Sequence, residues 1–234
     1  MKKIKLSKRL ALIAGFVSSG KGVVDVGTDH GYVPIYLAQN GYQGKIYASD
    51  IREGPLSHAK KFAVEYGVAA SIEFVLSDGL KAFSNRDFDT IIIAGMGGET
   101  IIHILENAWW IDKTFRLILQ PQSKIADLSH WLYNNGFSIQ DEALVKDAGR
   151  IYPVMYVQEK KSRAPFSDAE MYADRILLEN HDPLLPEYLA SLIKKLEHEL
   201  QSKQKSKTVN TEELDHLQFA LSGFYKMLEE THQW

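Results

Sequence analysis

The chain predicts an α/β fold: a doubly wound, mainly parallel sheet followed by a helical appendage. Three observations carry that expectation. Short β-branched or apolar runs alternate with segments of helical periodicity as far as about residue 158. One run, Thr90-Ile91-Ile92-Ile93-Ala94-Gly95, is apolar throughout its interior, as a central parallel strand covered on both faces requires. Beyond residue 160 the strand signals stop, and leucines recur in steps of three and four.

Taken in order, the first 24 residues hold Lys2, Lys3, Lys5, Lys8, Arg9 and Lys21 and no acid. Leu6, Arg9, Leu10, Ile13 and Val17 fall at helical spacing, which predicts a short amphipathic helix with a basic approach. Such a segment could steer phosphates, or could simply be solvated. Val23 to Val26 reads as the first strand, the glycine-bearing segment through Gly31 as a turn, and Tyr32 to Gln39 as a helix. Lys45 to Asp50 is a second strand. The following helix, Pro55 to Tyr66, sets Leu56, Ala59, Phe62, Ala63 and Tyr66 on one stripe. Ser71 to Leu76 is a third strand ending in Ser77-Asp78-Gly79. The fourth runs into Met96-Gly97-Gly98 and a helix from about Glu99 to Asn107. Phe115 to Leu119 is a fifth strand closed by Gln120-Pro121, with a helix over Ala126 to Asn135. Strands around Ile139–Val145 and Ile151–Gln158 predict an antiparallel pair at the end of the sheet.

Glu159 to Pro165 reads as a linker, dividing a domain over 1–160 from a helical one over 161–234. Ser167-Asp168-Ala169-Glu170 has the form of a capping box and predicts a helix start. Leu185, Leu189, Leu192, Leu196 and Leu200 form one heptad-like stripe, and Leu214, Leu217, Leu221, Phe224 and Leu228 another. A polar turn with Lys203, Lys205 and Lys207 joins them, predicting an antiparallel, coiled-coil-like hairpin. The pattern fits closure within one chain as well as pairing between chains, so oligomeric state stays open.

Composition narrows the function classes. A 234-residue chain with 45% hydrophobic residues can bury a sizeable core. It contains no apolar run long enough for a membrane span and no leader-like N-terminus, so a cytoplasmic protein without membrane partners is expected. The absence of cysteine excludes disulfides, thiolate metal sites and a cysteine nucleophile. The eight histidines show no His-x-x-x-His spacing, so no metal is expected. A net charge of −3 does not by itself advertise a nucleic-acid binder.

The most informative stretch is Val23-Val24-Asp25-Val26-Gly27-Thr28-Asp29-His30-Gly31. A strand, a glycine turn and a helix N-terminus make a ligand site, and Asp50 lies where an acid can take ribose hydroxyls. A dinucleotide fingerprint would be Gly-x-Gly-x-x-Gly, yet Asp29 stands at its second glycine. A carboxylate there repels a pyrophosphate but suits S-adenosylmethionine, which brings an ammonium, a sulfonium and a ribose diol. The competing reading is a surface turn rich in Asp and Gly. Asp78, after the third strand, could accept from an adenine amino group, and each such acid could also cap a helix.

These residues resemble the bacterial tRNA (adenine(22)-N(1))-methyltransferases, a class I family dependent on S-adenosylmethionine. The resemblance rests on Leu6-Ser7-Lys8-Arg9-Leu10, on Asp25 to Pro34, on Ile93-Ala94-Gly95-Met96-Gly97-Gly98 and on Leu117-Ile118-Leu119-Gln120-Pro121. It covers about the first 160 residues closely, and Gly31 departs from the alanine more usual there. It implies a Rossmann-like methyltransferase sheet, S-adenosylmethionine as cofactor and tRNA as partner. Cofactor contacts would come from Arg9, Gly27, Asp29, His30, Gly31, Asp50, Ile51, Asp78, Gly79, Ala94 and Gly95. Tyr32, Met96, Gly97 and Gly98 would face the target base, and Lys194, Lys195 and Lys203 would hold RNA.

Mechanism follows from the fourth-strand segment. Enzymes that methylate exocyclic adenine amines carry Asn/Asp-Pro-Pro-aromatic there, and this chain has Gly95-Met96-Gly97-Gly98. Adenine N(1) already offers an in-plane lone pair, so catalysis would be chiefly positioning, with Asp29 as the first candidate for stabilising developing charge. Each candidate also has a plainer reading. His30 could be a cap, Tyr32 a packed ring, Arg9 a solvated helix residue, and Trp109-Trp110 core or interface. From residue 160 on, 10 basic face 13 acidic side chains, so the hairpin is not basic overall. A small-molecule methyltransferase and a non-catalytic RNA-binding module remain alternatives.

Overall fold

The computed structural model describes residues 2–159, 167–204 and 211–234. Helix α1 (Lys8–Gly15) starts where Ser7 Oγ accepts the Leu10 amide at 3.3 Å, and it leads into β1 (Gly22–Val26). Then come α2 (Tyr32–Gln39), β2 (Lys45–Asp50), α3 (Glu53–Glu65), β3 (Glu73–Leu76) and β4 (Thr90–Met96). The series continues through α4 (Gly98–Glu106), β5 (Arg116–Pro121), α5 (Ile125–Asn134), β6 (Phe137–Asp147) and β7 (Arg150–Glu159). Each predicted strand and helix of this region is present, with ends moved by a few residues. The largest shift lengthens β6 and β7, because a hairpin pairs residue by residue up to its two-residue turn.

Seven strands form one sheet in the order β3-β2-β1-β4-β5-β7-β6. The first five are parallel, and β7 returns antiparallel to both β5 and β6. The order reverses between β1 and β4, so the loops after both strands open on the same edge, where such sheets bind ligands. Strands β1, β4 and β5 are buried nearly end to end between two apolar layers. One layer joins Val24, Ile91 and Leu117 to α4 and α5; the other joins Val23, Ile92 and Ile118 to α1, α2 and α3. Alternation along each strand assigns successive residues to opposite layers.

The C-terminal part carries its own core. Helix α6 (Ile176–Glu179) precedes two long helices, α7 (Leu185–Gln204) and α8 (Thr211–Thr231). The α7 stripe Leu185, Leu189, Leu192, Leu196 and Leu200 is buried against Leu217, Ala220, Phe224 and Met227 of α8, so the hairpin closes within one chain. The expected helix after Ser167 is absent. Ser167 and Glu170 do make the reciprocal capping bonds, at 3.0 and 3.4 Å, but they close a turn, and the helical conformation starts only at Ile176. The boundary expected at 160/161, most of the linker before Pro165, and Lys205 and Lys207 lie outside the described residues.

The helical part is seated on β6. Asp182 accepts the Leu144 amide at 2.9 Å, and Lys146 pairs with Glu187 of α7 at 2.6 Å. Two residues before Leu144, Glu142 is 1% exposed, with Oε2 accepting the Asp174 amide at 2.8 Å and Oε1 without a hydrogen-bond partner among the described residues. Burial, and then the carboxylates of Asp174, Asp182 and Asp141, push Glu142 up to about 8.

A folded-state pKa above the unfolded one means that stability is complete below the unfolded value and falls as pH rises from about 4.5 to about 8. Glu142→Gln keeps the acceptor for Asp174 and removes the ionisation. Thermal unfolding of this variant at pH 9 should show a gain of at least about 1 kcal/mol over the wild type, and little difference at pH 5. Parallel pH profiles for the two proteins would refute a buried protonated Glu142.

Candidate active site at the carboxyl edge of the sheet

The turn after β1 is built around a buried acid. Asp25 is 8% exposed, and its carboxylate accepts the Thr28 hydroxyl at 2.7 Å. Burial pushes Asp25 up to about 6; the Thr28 bond opposes that and nearby Asp50 adds to it. Amides of Gly27 and Thr28 both donate to the Ser49 carbonyl at 2.8 Å, so the turn is fastened to β2. Gly27 has φ +72°, and a Cβ there would run into Met96 Cε. Glycine at this position lets Met96, the last residue of β4, lie directly over the turn.

Past this anchor the side chains fan outward. Asp29, itself at φ +50°, leaves 67% of its side chain exposed, with the His30 ring nitrogen 3.6 Å away. His30 is no helix cap, since Gly31 occupies the N-cap of α2; its ring lies against Tyr32, Phe62 and His58. Tyr32 meets Phe62 edge-on in the same cluster, so packing accounts for its ring. Asp50 is buried at the end of β2, one oxygen accepting the Arg52 amide at 2.9 Å and the other without a hydrogen-bond partner among the described residues. Ile51 next to it is exposed despite being apolar. Asp78 pairs with Lys81 at 2.5 Å, a bond that holds its carboxyl below the usual range. Gly79 follows it against Ile104.

Between β4 and β5 the edge is zipped by backbone bonds. Gly98 donates to Ser123 O at 2.8 Å, and Gln122 donates to Met96 O at 2.8 Å. A Cβ on Gly98 would collide with the Lys124 carbonyl, which fixes glycine at that position. The β4 ladder shifts register between Ala94 and Met96, and the Gly95 amide is completed by Gln120 Oε1 at 3.2 Å. The same oxygen accepts Arg9 Nη1 at 2.7 Å. Arg9 also faces Asp147 at 3.6 Å and lies 5.8 Å from the Tyr152 ring centre; with 24% of its side chain exposed, it is an anchored residue and not a solvated one.

The edge therefore assembles Asp29, Asp50 and Asp78, the turn Gly27–Gly31 and the segment Ala94–Gly98 around one rim. Three carboxylates and a glycine cradle fit a cationic ligand without phosphates, which is the chemistry of S-adenosylmethionine. Lys194 and Lys195 stand exposed on α7, remote in sequence from this rim, and Lys203 pairs with Glu199. Among the described residues no helix is long and apolar enough to cross a membrane, and no group of three or more His, Asp or Glu could hold a metal.

A family model for a methyltransferase domain matches residues 6–155. The Bacillus subtilis tRNA (adenine(22)-N(1))-methyltransferase is 33% identical over 208 residues, spanning 87% of this chain and 85% of that protein.

The chain belongs to this methyltransferase family.

Solved structures agree. Streptococcus pneumoniae Sp1610, in complex with S-adenosyl-L-methionine, is 32% identical with a TM-score of 0.80 over 96% of this chain and 100% of its own. M. capricolum TrmK in complex with S-adenosyl-homocysteine is 27% identical, with a TM-score of 0.78 over 97% and 99%.

Sequence reasoning missed four members of this edge. Asp25 carried a signal, an acid inside an apolar strand run, yet only its burial shows that it anchors the turn. Gln120 was visible only as part of a motif, while Asp147 and Tyr152 reach Arg9 across the β6–β7 hairpin, a contact of more than 130 residues' separation. Of the tryptophan pair expected in core or interface, Trp109 is 88% exposed and so not core, while Trp110 packs against Phe88 and Phe115.

Gln120→Leu strands the Gly95 amide and the Arg9 guanidinium together, and urea unfolding should show a loss of about 1–3 kcal/mol. Gln120→Glu, which keeps an acceptor for both, should recover more than half of that. Equal losses in the two variants would mean that packing, not the shared acceptor, sets the requirement.

Proposed function

We propose that this protein transfers the methyl group of S-adenosylmethionine to N(1) of adenine 22 in tRNA, in the cytoplasm. The observation that carries this reading is the acid-lined, glycine-floored carboxyl edge of a chain that belongs to the adenine-22 family. Gly27, Asp29, His30 and Gly31 would cradle the methionine half, Asp50 the ribose, and Ile51, Asp78 and Gly79 the adenine ring. Ala94 and Gly95 would lie beside the reacting centre, with Met96, Gly97 and Gly98 beyond them. Asp78 can accept from an amino group only by sharing its carboxylate with Lys81. Tyr32 supports its aromatic cluster at the cofactor side, and Arg9 braces the floor through Gln120.

Bound S-adenosylmethionine supplies a methyl carbon on a positive sulfonium. The chain's own residues supply alignment: glycines admit the base close to the backbone, and rigid loops hold nucleophile and methyl carbon in line. No proton has to leave N(1) before attack, so a general base is unnecessary for the transfer itself. The exposed Asp29 carboxylate can stabilise the positive charge while it is in transit. A deep groove of about 620 Å³ runs between the start of α5 and the helical hairpin, with Lys124, His130 and Lys195 among its walls. Cations there and on the outer face of α7 suit an RNA backbone, though Asp168 and Glu199 share the groove.

Incubation with labelled S-adenosylmethionine and unmodified tRNA transcripts tests the reading. Label should enter transcripts with adenine at position 22 and stay out of those with guanine; label regardless of that base would defeat the positional assignment. Asp50→Ala should weaken cofactor binding in calorimetry at least about ten-fold, one lost charge-assisted bond. Wild-type affinity in that variant would remove Asp50 from the site. Lys194→Glu with Lys195→Glu should raise KM for tRNA several-fold and flatten its salt dependence while leaving cofactor affinity unchanged. An unchanged KM would place the RNA elsewhere.

A further inference from the structure

A second cavity, of about 310 Å³, lies between the end of β5, the β6–β7 turn and α7. It falls within the usual size of small-ligand sites, about 300–1,000 Å³. Pro121, Ile125, Tyr152 and Pro153 give it apolar surface on which a flat ring can lie, and Arg150 and Glu187 also line it. Gln122 lines both this cavity and the 620 Å³ groove, so it stands where the two meet.

The position of Gln122 is fixed while its head group is spare. Its backbone amide donates to Met96 O at 2.8 Å, tying it to the loop after β4. Its Nε2 lies 3.7 Å from the point a Cβ on Gly95 would occupy, beside the floor of the reaction site. The residue is exposed, and its carboxamide makes no hydrogen bond to any described residue. Among the residues lining the two cavities Gln122 alone carries a carboxamide, the planar group that donates and accepts side by side.

Transfer to N(1) constrains how adenine can be read. The attacking lone pair lies on the Watson–Crick edge, so that edge must face the methyl group and cannot be covered by the protein. The Hoogsteen edge remains, with N6–H as donor and N7 as acceptor. A glutamine carboxamide matches that pair bidentately, and guanine, with O6 and N7 both acceptors, does not. We propose that Gln122 is the residue that selects adenine: its Oε1 accepts from N6–H and its Nε2 donates to N7, with the ring lying in the cavity beside Tyr152. This rests on the methyl-transfer reading above and adds to it the edge by which the base is held.

The test replaces single atoms of the base. Transcripts carrying adenosine, 7-deazaadenosine or 1-deazaadenosine at position 22 are methylated by the wild type, Gln122→Ala and Gln122→Glu. In the wild type, 7-deazaadenosine should lower kcat/KM about ten-fold, the loss of one base-edge bond. Gln122→Ala should lose at least that much on adenosine and nothing further on 7-deazaadenosine, since the interaction is already gone. Gln122→Glu keeps the acceptor for N6–H but sets a carboxylate oxygen against the N7 lone pair, so it should fall well below the wild type on adenosine and improve on 7-deazaadenosine, where C7–H removes the repulsion. Unaltered affinity for S-adenosylhomocysteine shows that each variant is folded. A 7-deaza penalty that persists undiminished in Gln122→Ala, or full activity of that variant on adenosine, overturns the proposal while methyl transfer stands. Wild-type transfer to 1-deazaadenosine, or none to adenosine, overturns the functional reading and this proposal with it.

Discussion

Buried backbone donors at the carboxyl edge of a parallel sheet must be satisfied after the ladder ends, and this requirement shapes the site. The β4 ladder shifts register after Ala94, so the Gly95 amide has no regular partner in the neighbouring strand. Gln120 of the neighbouring strand completes it and takes Arg9 with the same oxygen. The Gly27 and Thr28 amides go to Ser49, that of Gly98 goes to Ser123, and that of Gln122 goes to Met96. Each loop on the rim is therefore finished by an adjacent strand or loop. A rim closed in this way is preorganised: its atoms stand in place before any ligand arrives.

The same economy governs how the helical part is attached. It touches the sheet through β6, an antiparallel edge element whose outer residues would otherwise be an exposed flank. Asp182 and Glu142 take or cover backbone amides across this joint, and Lys146 reaches Glu187. One residue further along β6, Asp147 holds Arg9. Neighbouring side chains of one strand thus fix the hairpin on one side and the Arg9–Gln120 pair on the other. The groove between them has defined walls because both are referred to the same seven-stranded sheet.

Much of this was legible in the sequence, and the limits have physical causes. The positions of strands and helices and their alternation follow from apolar runs and periodicity, which depend on residues two to four apart; the order of the seven strands in the sheet does not. The hairpin stripes on α7 and α8 were readable for the same reason. The Ser167 capping box misled because its local bonds form whether or not a helix follows. Asp29 and Asp50 could be proposed because one follows and one ends a strand, and such places are visible locally. Gln122 and Tyr152 could not, since they meet only in lining a common cavity, one just past β5 and the other on β7. Long-range convergence leaves no periodic trace.

Charge ties the edge to its chemistry. Methyl transfer from a sulfonium to an adenine moves one positive charge a short distance and creates none. A site for it needs negative groups on the departing side and no bare cation on the arriving side. Asp29 and Asp50 would supply the first condition, while buried Asp25, pushed up to about 6, anchors the turn through Thr28. Arg9 lies close to Gly95 and would break the second condition if it stood alone. Its guanidinium is matched by Asp147 and bonded to Gln120, so its charge is answered on the protein side. An arginine placed for geometry can then brace the floor of the site without opposing a cationic product.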